Sequence, residues 1–87
     1  MISIPPLRIF WDLPNDPDGN VCHIGEHDIE PAEVEEVLRS PTSIDVSRSS
    51  GRSIAIGETT AGRTLLVVFE EVEESSVYPI TAYDLEG

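Results

Sequence analysis

The sequence predicts a single α+β domain in which a first strand and two helices, packed on one face, precede an antiparallel β-meander. Two observations in the pattern point there. Apolar residues recur at helical spacing between residues 20 and 41, and beyond Pro41 the period becomes strand-like. The third observation is size: 87 residues, 39% of them apolar, suit one hydrophobic core and no second domain. The apolar residues come in blocks and charged residues make up 25%, which excludes a disordered chain.

Leu7 to Trp11 is an apolar run between Pro6 and Asp12 and reads as the first strand, with Trp11 in the core. Pro14 to Asn20 is a string of turn residues that no regular element survives. Asn20 is placed to cap a short helix through Glu26 that carries Val21, Cys22 and Ile24. The second helix is better marked. Pro31 suits its first position, Glu33 can reach back to the helix start, and Ile29 can staple against Val34. Val34, Val37 and Leu38 share one face, expected against a sheet containing Leu66 and Val68, while Glu35, Glu36 and Arg39 point outward. Ser40-Pro41 ends the helix.

Ser43 to Val46 reads as a weak strand and Ser47 to Gly51 as a polar turn. Ser53 to Glu58 is a strand, and Thr59 to Gly62 a compact turn with Gly62 left-handed. Thr64 to Phe69 is apolar on both faces, the mark of a central strand. Glu70 to Ser76 reads as an acidic loop and Val77 to Tyr83 as the last strand. There, Pro79 must lie at an edge or turn its missing N–H away from any partner.

No apolar run approaches the ~20 residues that span a bilayer. The N-terminus lacks the basic start and long apolar stretch of a signal peptide. Cys22 is alone, so no internal disulfide forms, which fits a reducing compartment and a cytoplasmic location. Seventeen acidic residues face five arginines and no lysine, a formal net charge of −12 that repels nucleic acid as a whole. That acidity serves either as a solubilising surface or to bind a basic partner.

His23-Ile24-Gly25-Glu26-His27 matches H-x-x-E-H, which on a helix presents two histidines to zinc. Gly25 weakens a helix of one or two turns, a third ligand is missing, and Cys22 and His23 are adjacent and point apart, so no metal or other cofactor is expected. Arg48 and Arg52 flank a Ser/Gly turn and Arg63 lies in the next one. This is the cationic cluster able to hold a phosphate, although a hairpin with solvated arginines has the same pattern. Tyr78 and Tyr83 are five apart and on an ideal strand face opposite sides. Neither a G-x-S-x-G elbow nor a Cys/His pair with an orienting third group is present to support nucleophilic catalysis.

Taken in order, five stretches resemble the BrnT family, RelE-like ribonuclease toxins of bacterial type II toxin–antitoxin systems. Ile9-Phe10-Trp11-Asp12 resembles the family's "F-x-W-D" opening, and Asn20 to His27 its "N…K-H" segment. Ile29 to Pro41 resembles its amphipathic helix. Gly51-Arg52, Gly57 and Gly62-Arg63 resemble its "E-x-R…G…G-R" hairpin, and Tyr78 to Tyr83 its terminal "R-x-I-S-A-R" strand. The resemblance implies a RelE/BrnT-like fold and an endoribonuclease held inactive by an antitoxin protein. Arg52, His27 and Tyr83 would be its catalytic residues, and Arg48, Arg63 and Tyr78 would hold RNA or phosphate. His is the side chain that ordinarily titrates near neutrality. The sequence departs from the family where both terminal arginines are Tyr78 and Tyr83, where the lysine before His27 is Glu26, and in its acidity. Those departures leave the phosphate to Arg52 with help from Arg63, make any RNA binding weak, and suggest the alternative of a catalytically silent acidic module on the same scaffold, binding a basic protein.

Overall fold

The second helix shows most directly how the sequence sets its own boundaries. In the computed structural model, which describes residues 8–46, 52–73 and 75–86, helix α2 spans Pro31–Arg39. Proline opens it, and the Glu33 carboxylate accepts the Glu30 backbone N–H at 3.0 Å, satisfying a donor at the helix start. Val34, Val37 and Leu38 are buried, as their spacing predicts, and Ile29 is buried beside them in the same core cluster. Two carboxylates of the polar face are tied to other elements. Glu35 accepts the indole N–H of half-buried Trp11 at 2.8 Å, and Glu36 accepts the Thr60 hydroxyl at 2.7 Å.

Helix α1 is Asn20–Gly25. Beyond it, Asp28 takes a left-handed conformation (φ 63°) and donates its N–H to Gly25 O, while Ile29 N–H reaches Ile24 O. This is the Schellman pattern, with an aspartate where glycine is usual, and it returns the chain so that Ile24 and Ile29 are both buried. Asn20 does not cap α1: the N-cap is Gly19, and the Asn20 side chain turns inward.

Five strands form one mixed sheet in the order β1-β5-β4-β3-β2, with β1 Arg8–Ile9, β2 Ser43–Val46, β3 Ser53–Glu58, β4 Thr64–Glu73 and β5 Ser76–Asp84. The meander β2 to β5 is antiparallel as expected, and β1 pairs parallel to β5. Strand β1 is shorter than the Leu7–Trp11 reading, with Leu7 outside the described residues, as is the 47–51 turn. The turn before β4 is as expected, with Gly62 at φ 89° and its N–H on Thr59 O.

The acidic loop is a correction. Glu70 to Glu73 continue β4, and Glu73 lies directly opposite Ser76, with Ser75 at φ 61°. All four residues are exposed, carboxylates need no burial, and the ladder continues past an irregularity at Val72.

The two helices lie on the sheet face formed by Leu65, Val67 and Phe69 of β4, Ala55 of β3, and Val77, Pro79 and Ala82 of β5, all buried. This corrects the expectation for α2: Leu66 and Val68 belong to the opposite face and stay half-buried. Each fully buried aliphatic side chain contributes ~1.5–3 kcal/mol, so this face is the core.

Candidate functional site

Strand β5 carries the irregularity that places the candidate side chains. Its register to β4 runs Val68↔Thr81 and then Phe69↔Pro79, skipping Ile80. The bulge gives Pro79 a place inside an inner strand, where an ordinary ladder excludes it. It also shifts parity. Tyr78 stands opposite Glu70 and Tyr83 opposite Leu66, so the register brings both tyrosines to one side instead of opposite sides.

Pro79 has a second consequence. Phe10 N–H bonds Val77 O at 3.0 Å, so the next rung of the parallel ladder would be Pro79 N–H to Phe10 O, a donor that proline lacks. The Asn20 amide replaces it. Nδ2 donates to Phe10 O at 3.0 Å and to Pro79 O at 2.9 Å, and Oδ1 accepts the Asp12 N–H at 2.9 Å. The Asp12 carboxylate in turn accepts the Asn20 N–H at 3.0 Å and the Tyr78 hydroxyl at 2.5 Å, through the same oxygen. Gly19 permits the close approach, since a Cβ there would stand 2.6 Å from Asp12 Cβ. The hydrogen bond to Asp12, then burial and nearby negative charge, pushes the Tyr78 hydroxyl up to about 12. The Tyr78 hydroxyl and the Asn20 N–H hold Asp12 below the usual carboxylate range. Tyr78, expected at a phosphate, is therefore a neutral donor to a carboxylate. Asp12 and Asn20 were not legible as a network, because an asparagine at a helix start reads as a cap.

His27 and Tyr83 do come together: their rings meet edge-on with centroids 4.8 Å apart. His27 lies in the turn after α1, so the H-x-x-E-H residues do not share one regular helix. Among the described residues, no cluster of three or more His, Cys, Asp or Glu is arranged around a common metal position.

Arg63 is held by three separate parts of the chain. Nε bonds Asp84 at 2.9 Å, and Nη1 bonds both Glu33 oxygens at 2.8 and 2.9 Å and Asp28 O at 3.1 Å. Asp84 foremost, then Glu33, raises its pKa still further. The guanidinium clamps the start of β4 to α2, to the α1–α2 turn and to the end of β5. Arg52 lines a shallow polar depression with Ser53, Glu70 and Glu71 and pairs with Glu70 at 3.5 Å. It is two strands and four residues away from Tyr83, roughly 16 Å by sheet spacings. Arg52 is therefore not assembled with the His27–Tyr83 pair, and Arg48 lies outside the described residues.

No helix described is long and apolar enough to cross a membrane. Compared with family models, curated proteins and solved structures, the chain matches none.

Proposed function

We propose that this chain is an acidic protein-binding module on a RelE/BrnT-like scaffold, taking a basic polypeptide partner. The carrying observation is the engagement of Arg63 by Glu33, Asp84 and the Asp28 carbonyl, which leaves that guanidinium no open fork for a phosphate. Arg52 faces Glu70, Tyr78 faces Asp12, and the formal charge is −12, so the described site favours a cationic ligand over RNA.

The second reading is the cytoplasmic endoribonuclease toxin neutralised by an antitoxin. One observation favours it: His27 and Tyr83, two of the three residues that the resemblance makes catalytic, are in ring contact. Incubating the purified protein with total RNA and inducing its expression in bacteria separates the two. The binding module leaves RNA intact and growth unaffected. RNA cleavage or growth arrest that Arg52→Ala abolishes would overturn it in favour of the toxin.

A further inference from the structure

The helices cover one face of the sheet; the other carries a second apolar surface. Ile54 and Ile56 of β3 stand opposite Val68 and Leu66 of β4, forming two adjacent rows that Thr81 and Tyr83 extend on β5. These four aliphatic side chains are half-buried, while Ala55, Leu65 and Val67, their neighbours along the same strands, are fully buried. The alternation follows from cover: the described helices bury the other parity, and the rows on this face are met only at their Tyr83 edge, by His27, among the described aromatic contacts.

The border of this patch is acidic. By register Glu58 closes one end, Glu70 the other, and Asp45 of β2 flanks it, all three exposed; Arg52 adds a cation that is paired with Glu70. A second copy of the chain would bring another formal −12 against this rim, and nucleic acid would bring phosphates. An apolar centre with a carboxylate rim is complementary to a helix with aliphatic residues on one stripe and Lys/Arg beside it. The size agrees, since three adjacent strands span about 10 Å, close to the diameter of an α-helix.

We infer that the sheet face opposite the described helices is the docking surface for a basic amphipathic helix of a partner protein, its apolar stripe seated on Ile54, Ile56, Leu66 and Val68 and its cations on Glu58, Glu70 and Asp45. The inference rests on the binding-module reading and adds the place and the shape of the ligand. The probe is a synthetic amphipathic helical peptide of leucine and lysine, with a leucine/glutamate peptide and single-stranded RNA as comparisons, titrated into the full chain while backbone amide shifts are recorded. The expected result is binding of the lysine peptide alone, with shifts concentrated on β3 and β4 residues bordering the patch. Ile56→Thr with Val68→Thr should weaken it at least tenfold. Glu58→Lys, at an exposed position, should weaken it several-fold at low salt with folding intact, which keeps the test decisive even if the threonine pair does not fold. Lysine-peptide binding with shifts elsewhere, and no response to Glu58→Lys, would overturn the surface and leave the binding-module reading standing. Failure of the lysine peptide to bind would overturn both. Self-association through these rows, or RNA shifting the same amides, would replace the inferred occupant and overturn the inference.

Discussion

Replacing Asn20 by alanine tests whether its amide stands in for the N–H that Pro79 lacks. Asn20 is 1% exposed, and its side chain makes three hydrogen bonds, to Phe10 O, Pro79 O and the Asp12 N–H. Alanine removes all three and leaves those backbone groups without that partner in a poorly hydrated place. At ~1–1.5 kcal/mol net for each bond, the loss is about 3–4.5 kcal/mol. That is a large share of the ~5–15 kcal/mol stability of an ordinary domain, and lowers Tm by roughly 12–36 °C at this chain length. Urea denaturation followed by circular dichroism measures it, with an unchanged m-value showing that the unfolded state is unaltered. Asn20→Asp keeps an acceptor for the Asp12 N–H but loses both donors, so it should be no better than alanine. Pro79→Ala restores a backbone donor to Phe10 O, and in that background Asn20→Ala should cost ~1 kcal/mol less. A loss below about 1 kcal/mol for Asn20→Ala, or strict additivity with Pro79→Ala, would refute the substitution of one donor for another.

Tyr78 gives a pH signature. Its hydroxyl ionises at about 12 in the fold, against about 10 unfolded, so its contribution is complete below pH ~10 and is lost as pH rises through 12. Stability measured against pH for wild type and Tyr78→Phe should converge over that window, and parallel curves would remove the Asp12 hydrogen bond from the account. At the acid end, lowered Asp12 contributes stability above pH ~4 that disappears as pH falls through its folded value. Arg63→Lys, which loses the fork between Glu33 and Asp84, should lower Tm clearly in thermal melting, whereas Arg39→Lys, at an exposed 3.9 Å pair, should leave it nearly unchanged. Equal effects would deny Arg63 its clamping role. Leu38→Ala should cost ~2–5 kcal/mol and Val68→Ala under ~1 kcal/mol; similar losses in urea melts would mean that the two sheet faces are covered alike.

By itself the sequence determined the elements whose causes are local. Pro31 and Glu33 start α2, Ser40-Pro41 stops it, the spacing of Val34, Val37 and Leu38 sets its buried face, and Gly62 turns β3 into β4. These are effects within a few residues, from fixed φ, a back-bonding carboxylate, helical period and a left-handed turn. Tertiary structure decided the rest. Thr64 to Phe69 is apolar at every position after the threonine, so nothing in its pattern says whether Leu65 and Val67 or Leu66 and Val68 meet the helices; one residue of register settles it. The bulge at Ile80 set the side on which both tyrosines lie, and carboxylates 30 and 21 residues away fixed Arg63, positions that only chain folding brings within 3 Å. The pairing of Asn20 with Pro79 has the same origin. A helix-start asparagine and a strand proline each have an ordinary local reading, and only the arrival of β1 beside β5 leaves a carbonyl that needs the amide 59 residues away from that proline.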